Sequence, residues 1–336
     1  MNQALINLLV FSSIVILGAL AYRLLIAKNL LQSVGTRQKT LIEDILKQLY
    51  HVEQSKSAAN LVNLAGALQL KRKTVLKTVE QMSQTGLLNL NDTEIALTED
   101  GRQYALKMVR IHRLYEKYLA ERTGHQPSDW HNLAEKKEHE LTEEQTAELQ
   151  SFLGNPLFDP HGDPIPTQTG EISAVTWTPL PSFEVNKACK IAHIEDEPEV
   201  IYKQILDKRL FIGSHVLLDK MSNNEVIFTC EGVNHKLSNI VAANIHVEEL
   251  NKNEVFERNA TRLSTLTFGE HAEIIGLSKE CRGANRRRLL DLGILPGTKI
   301  EVDLQSPLSD PVAYRVRNTS IALRSTLADL ILINKK

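Results

Sequence analysis

The sequence contains few cysteines and no excess of charge of either sign. Its 336 residues include three cysteines, Cys189, Cys230 and Cys281, which lie far apart and form no Cys-x2-Cys pair. This spacing argues against a disulfide framework or a zinc ribbon, and it fits a reducing compartment. The net charge of −2 provides no global attraction to nucleic acid. Any DNA contact therefore requires a local basic patch.

The N-terminal segment contains no charged side chain over residues 1–22. Its apolar run extends to Ala27 if Arg23 reaches the interface, which meets the roughly 20 residues needed to cross a bilayer. A secretory signal would place basic residues before the run, whereas here they follow it. By the positive-inside rule we predict a single-pass anchor in the inner (cytoplasmic) membrane, with the downstream domains in the cytoplasm. A signal peptide and a buried helix are the alternatives.

Residues 40–97 show the pattern of a winged helix-turn-helix. Apolar periodicity predicts helices over about 40–50, 58–68 and 71–84, followed by a hairpin over 87–97. Thr98 before two acidic residues predicts the N-cap of a fourth helix. In this motif the third helix enters the major groove. Its leading and outward positions form a cationic and hydroxyl face suited to DNA: Lys71, Arg72, Lys73, Thr74, Lys77 and Thr78. An ordinary solvated helix face is the alternative.

Two further helices, predicted over about 99–120 and 128–137, carry histidines and carboxylates at helical spacing. His112 precedes Glu116 by one turn, and His131 precedes Glu135 in the same way. If the helices face each other, these side chains meet together with Glu138 and His139. Nitrogen and oxygen donors without thiolate suit a divalent first-row metal. Taken alone, each pair is equally typical of a solvated charge run.

The chain resembles the diphtheria-toxin-repressor and manganese-transport-regulator family of metal-dependent repressors. The resemblance rests on the winged helix and on three stretches: Val-Arg-Ile-His-Arg-Leu-Tyr-Glu at 109–116, Glu-Lys-Lys-Glu-His at 135–139 and His-Gly-Asp-Pro-Ile-Pro at 161–166. It implies a dimerisation domain after the winged helix and a paired metal site. The ligand positions that it implies are Asp44, His112, Glu116, His131, Glu135, Glu138 and His139.

Two positions depart from the family pattern. Lys47 stands where manganese-type members have a carboxylate, which affects one of the two metal positions. Glu135 stands where iron-type members have a cysteine. A shell of oxygen and nitrogen donors favours Mn²⁺, with Fe²⁺ as the alternative.

The C-terminal region contains a duplication. Asp207 and Gly213 align with Asp291 and Gly297 at a common offset of 84 residues. Each copy alternates apolar and polar residues in short runs around one brief helix, as in a small β-barrel. Both copies resemble the SH3-like domain of the ferrous-iron-transport A (FeoA) family. That resemblance implies an extra carboxylate ligand from the first copy, for which Glu197 and Glu199 are the candidates.

We therefore predict a multidomain α+β protein. Its parts are an anchor at 1–34, a winged helix at 35–98, a helical metal-binding and dimerisation domain at 99–170, and FeoA-like SH3-type domains at 171–250 and 251–336. The predicted function is a membrane-tethered, homodimeric repressor of metal-uptake genes, activated by Mn²⁺ or Fe²⁺ and bound to a double-stranded DNA operator. A membrane-anchored accessory of ferrous-iron transport, beside an iron permease and without DNA binding, is the alternative. No nucleophile–base pair is visible, so no enzyme is predicted.

Overall fold

The computed structural model describes residues 35–91, 94–306 and 310–335. The chain divides into two compact units, Met1–Val109 and Arg110–Lys336. All three cysteines are buried and free, as their scattered positions predict.

The predicted membrane localisation needs correction. The proposed anchor at 1–34 lies outside the described residues. Within the ranges that are described, no helix is long and apolar enough to cross a bilayer. The helix Glu99–Arg122, for example, has charged residues throughout its 24 positions. The prediction of a single-pass inner-membrane protein is contradicted on this finding.

The first unit combines helices with a short hairpin. Its elements are α1 (35–54), α2 (Leu61–Ala67), α3 (Arg72–Gln84), β1 (Leu88–Leu90), β2 (Ile95–Leu97) and the start of α4 (Glu99–Arg122). The two strands pair antiparallel. The core comprises Ile45, Leu46 and Leu49 of α1 with Val75 and Met82 of α3, all at most 1% exposed. The apolar periodicity thus identifies the buried face of both helices.

Thr98 caps α4, as predicted. Its Oγ1 accepts a hydrogen bond from the Gly101 amide at 3.1 Å and donates to the Gly86 carbonyl at 2.6 Å. A Cβ at Gly101 would lie 1.9 Å from the Leu87 carbonyl oxygen. Glycine is therefore required where α4 packs against the hairpin.

One residue of the predicted DNA-facing surface is misplaced. Thr78 is only 2% exposed, and its hydroxyl donates to the Thr74 carbonyl at 3.1 Å. It lies three residues after Val75 and four before Met82, so it shares their buried face. Its predicted contact with DNA is wrong. The other five side chains of that surface are exposed: Lys71, Arg72, Lys73, Thr74 and Lys77.

The second unit begins with helices. After the rest of α4 come α5 (Pro127–Glu138) and α6 (Glu143–Phe152). Helix α6 is an addition to the predicted elements, and Thr142 and Gln145 form a capping box at its start. In the loop that follows, the Asp159 carboxylate accepts the amides of His161 and Asp163 at 2.8 Å each.

Two six-stranded antiparallel sheets complete this unit. The first contains β3 (Thr178–Pro179), β4 (Ala188–Ile194), β5 (His215–Met221), β6 (Glu225–Cys230), β7 (Val233–Ser238) and β8 (Ile245–Glu249), with α7 (Glu199–Asp207) and α8 (Asn239–Ala242). The second contains β9 (Ala260–Arg262), β10 (His271–Leu277), β11 (Lys299–Gln305), β12 (Val312–Val316), β13 (Thr319–Leu323) and β14 (Ile331–Lys335), with α9 (Gly283–Asp291) and α10 (Ser325–Ala328).

The two sheets have one topology. Their strand orders are β3-β8-β4-β5-β6-β7 and β9-β14-β10-β11-β12-β13, which correspond strand for strand. The register shift at Leu218/Lys220 recurs at Val302/Leu304, at the offset predicted for the repeat. The internal duplication read from the sequence is therefore present in the fold.

A buried carboxylate joins the sheets. Glu231, in the β6–β7 turn, accepts hydrogen bonds from Ser214 of the first copy and from Ser278 of the second at 3.1 and 2.7 Å. It also pairs with Arg262 at 2.9 Å. Arg209 adds ion pairs to two carboxylates of the second copy at 2.6 and 2.7 Å.

Candidate metal centre

His112 and Glu116 lie one turn apart on α4, and both are buried. The Nε2 atom of His112 is 3.1 Å from Glu116 Oε1, while its Nδ1 is 2.5 Å from Glu138 Oε2 at the end of α5. Glu138 is 1% exposed. The spacing of these residues on two helices thus predicts correctly that they converge.

His131 extends the cluster from α5. Its ring centroid is 4.9 Å from that of His112, and its Nδ1 is 3.7 Å from Glu116 Oε1. The same nitrogen is 3.2 Å from Asp196 Oδ2, just after β4. Its Nε2 lies 3.6 Å from Glu135 and 3.7 Å from Glu197. The segment after β4 therefore places carboxylates beside His131, of which that of Asp196 is the nearest, and the ligand role of Glu197 or Glu199 stays a prediction.

Two residues that the sequence analysis does not select complete the cluster. His161 is 3% exposed, with Nδ1 3.5 Å from Glu116 Oε2 and 4.0 Å from Asp159 Oδ2. A Cβ at the next residue, Gly162, would lie 2.1 Å from the Ala192 carbonyl oxygen. This close approach, together with the hydrogen bonds to Asp159, fixes the loop. The signal for this loop in the sequence is the His-Gly-Asp-Pro run at 161–164.

The pKa values in the cluster are shifted because buried carboxylates lie beside imidazoles. Burial alone would raise the pKa of Glu116, but the charges of His112 and His161 and the hydrogen bonds from His112 and His131 hold it well below its usual value. Burial opposes protonation of His131 and His161, yet their carboxylate partners raise the pKa values to about 12 and about 10. Burial, then the charge of Asp163, raises the pKa of Asp159 to about 7.

These residues fit a divalent cation. Carboxylates that favour positive charge on neighbouring imidazoles also favour a metal ion, whose binding releases the imidazole protons. The buried Nε2 atom of His161 has no hydrogen-bond partner within the described part of the chain. Two donor groups converge: His112, Glu116 and His131 form one, and Glu116, Asp159 and His161 form the other. The mixture of oxygen and nitrogen donors is suited to Mn²⁺ or Fe²⁺.

The remaining predicted ligands differ in position. Glu135 is 49% exposed, and His139 lies beside Glu138 with Nε2 3.8 Å from its Oε1. Asp44 lies on α1 in the first unit and is half-buried. Its role as a ligand stays a prediction.

Two family models match parts of the chain. Residues 98–167 match the metal binding and dimerisation domain of iron dependent repressors. Residues 261–335 match the FeoA domain. The first match contains every α4 and α5 residue of the cluster, and the second match coincides with the second sheet.

Curated proteins and solved structures are similar over larger parts. The iron-dependent repressor IdeR of Mycobacterium tuberculosis is 34% identical over 125 residues, covering 37% of this chain and 54% of that protein. The chain therefore spans about half the length of this relative. The diphtheria toxin repressor of Corynebacterium glutamicum is 28% identical over 62% of this chain and 96% of its own. A manganese-dependent transcriptional repressor solved in complex with manganese has a TM-score of 0.57 at 25% identity, covering 62% of this chain and 99% of its own.

The buried cluster lies within the stretch that matches a metal binding and dimerisation domain of iron dependent repressors. The resemblance to the diphtheria-toxin-repressor and manganese-transport-regulator family is confirmed by these matches. These relatives are named as an iron-dependent repressor, a diphtheria toxin repressor and a manganese-dependent transcriptional repressor. A membrane anchor and a permease partner gain no support from the three proteins described above.

Proposed function

We propose that this protein is a homodimeric transcriptional repressor of metal-uptake genes that binds a double-stranded DNA operator when Mn²⁺ or Fe²⁺ is bound. One observation carries the proposal: a buried cluster of imidazoles and carboxylates lies in the domain that matches repressor metal-binding domains. The winged-helix elements precede that domain directly in the chain.

The firmest metal position is centred on Glu116. Its carboxylate lies within 3.7 Å of three imidazoles, those of His112, His131 and His161. Asp159 and Asp196 supply further oxygen donors beside His161 and His131. A bound divalent cation would supply positive charge among these carboxylates in place of the imidazole protons. The second position, with Asp44, Glu135, Glu138 and His139, is proposed from the family resemblance.

The exposed surface of α3 is the proposed DNA-binding surface. Lys71, Arg72, Lys73 and Lys77 are all exposed, and Thr74 lies among them. Basic side chains of this density neutralise phosphates and release counterions, which gives binding that weakens as salt rises. Because Thr78 is uncharged, its burial does not change the positive charge of this surface.

We propose that the domains lie at 35–98, 99–170, 171–250 and 251–336, without the anchor. Both sheets are proposed to be FeoA-like SH3-type barrels. The matched model covers the second sheet only, and the identical strand order supports the assignment for the first. Metal would favour the DNA-competent state only to the extent that it binds this state more tightly than the other.

The test is a gel-shift titration with Mn²⁺ on a metal-uptake promoter fragment. We expect Glu138→Ala to abolish metal-dependent binding, because this buried carboxylate contacts His112 and is a proposed ligand. Glu140→Ala is the matched control, because Glu140 is exposed and forms an ion pair with Lys137 on the surface. Both variants should remain dimers by size-exclusion chromatography. An undiminished response of Glu138→Ala to Mn²⁺ would contradict the proposal.

A further inference from the structure

A second pair of imidazoles lies in the first sheet, outside the cluster around Glu116. His193 of β4 and His246 of β8 are cross-strand partners next to a register shift in β4. Their Nδ1 atoms are 3.1 Å apart. Glu195, two residues after His193, brings a carboxylate oxygen within 4.8 Å of both rings. His193 is 4% exposed, whereas Glu195 is open to solvent.

The geometry of the two nitrogens suits a shared ion. Imidazole nitrogens bind zinc at about 2.0–2.1 Å, so two of them are separated by roughly 2.9–3.4 Å when the angle at the metal lies between 90° and the tetrahedral value. The observed separation of 3.1 Å falls within this range. Glu195 can approach from the solvent side as a third donor, which leaves a further position for water.

The outer contacts of His193 are those of a metal-binding histidine. Its Nε2 faces Asp163 Oδ2 at 3.4 Å, and the other oxygen of Asp163 accepts from Arg113 at 3.0 Å. A carboxylate in this position fixes the ring and directs the second nitrogen to a metal. The indole of Trp177 stacks on the His193 ring, with centroids 4.6 Å apart and planes 6° from parallel.

The duplicated sheet shows that the fold does not require this pair. At the corresponding positions, next to the equivalent register shift in β10, Gly276 pairs with Leu332. The second sheet has the same strand order without any imidazole at this cross-strand position. The two histidines, the carboxylate and the indole are therefore specific to the first copy.

We propose that His193, His246 and Glu195 form a second metal site, distinct from the cluster around Glu116. Its donors are mainly imidazole, which favours borderline transition metals such as Zn²⁺ over Mn²⁺. Asp163 acts as a positioning residue through His193. Trp177 covers one face of the site and reports on its occupancy.

The experiment uses the full chain in a background that disables the first cluster, Glu116→Gln with Glu138→Ala. Zn²⁺ binding is measured by calorimetry, and Co²⁺ serves as a spectroscopic probe through its visible absorption and its quenching of tryptophan fluorescence. We expect one Zn²⁺ per chain in this background. Added Zn²⁺ should displace the bound Co²⁺ from the site.

His246→Leu, which introduces the residue found in the second copy, should lower the Zn²⁺ affinity on the order of 100-fold and remove the Co²⁺ signal. His246→Asn provides a second variant of the same position that retains polarity. His235→Leu is the matched control, because His235 lies on β7 at the opposite edge of the sheet. Thermal unfolding verifies that each variant folds. Equal Zn²⁺ binding by folded His246 variants and the control would overturn the proposal.

Discussion

The two sheets of the second unit share a core and differ in their polar side chains. Corresponding buried positions hold Val216 and Ile300, Leu218 and Val302, and Phe228 and Tyr314. These positions alternate along paired strands and face one interior. The apolar pattern is thus maintained in both copies, which accounts for the common strand order.

The polar positions have diverged. His193 and His246 correspond to Gly276 and Leu332. The backbone amides of Glu195 and Ser278 bond to equivalent carbonyls, and the next residues are Asp196 and Lys279. The first copy places a carboxylate beside His131, whereas the second has a cation at the same position. The shared apolar core thus accounts for the common fold, and the polar side chains at and after the paired strands differ between the copies.

The largest effect is expected when Asp196 of the first copy is replaced by lysine, the residue at the corresponding position of the second copy. Asp196→Lys should lower the Mn²⁺ affinity on the order of 100-fold, because it replaces a carboxylate 3.2 Å from His131 by a cation. Equilibrium dialysis of the full chain measures this. Glu199→Lys, at the exposed start of α7, makes the same charge change and should have little effect. Equal losses in both variants would show that position 196 has no special role.

A second difference concerns the β6–β7 turn. Glu231 and Arg317 occupy equivalent turns with φ of 47° and 46°, but only Glu231 is buried between the sheets. Glu231→Gln leaves Arg262 without its charged partner and should reduce the free energy of unfolding by about 3 kcal/mol. Arg317→Gln, on an exposed turn, should change it by less than about 0.5 kcal/mol.

Urea denaturation followed by circular dichroism measures both values. If the two variants are equally stable, Glu231 does not contribute to stability in the way that its hydrogen bonds from Ser214, Ser278 and Arg262 indicate.

The smallest effect is expected at position 197. Glu197 is 76% exposed, and the corresponding residue of the second copy, Glu280, is also a glutamate. Exposed ion pairs contribute about 0–1 kcal/mol, so Glu197→Ala should weaken Mn²⁺ binding by less than about fivefold. The same dialysis assay applies. A loss as large as that of Asp196→Lys would make Glu197 the carboxylate that the first sheet contributes.

The sequence predicts local features well, because they depend on neighbours along the chain. The convergence of His112, Glu116 and His131 follows from helical spacing, and the N-cap at Thr98 follows from side-chain chemistry. Thr78 is polar, but its helical spacing from Val75 places it on the buried face, so polarity alone predicts its position wrongly. The α6 helix was missed although its capping box is visible in the sequence.

Contacts between distant segments could not be predicted in the same way. His161 reaches Glu116 from 45 residues along the chain, and Asp196 reaches His131 from 65. Helical spacing cannot predict contacts between residues so far apart in the sequence, because the fold of the intervening loop and sheet determines how closely they approach each other. For the first sheet the resemblance suggested Glu197 or Glu199, and the side chain closest to His131 is that of the adjacent Asp196.

The buried cluster around Glu116 is proposed to bind a divalent metal. The most direct measurement is a Mn²⁺ titration of the full chain followed by electron paramagnetic resonance of the free ion, with wild type compared with Glu116→Gln. The substitution keeps the size of the side chain and removes its charge. We expect tight Mn²⁺ binding by the wild type and an affinity reduced on the order of 100-fold in the variant. Identical titration curves for the two proteins would contradict the account.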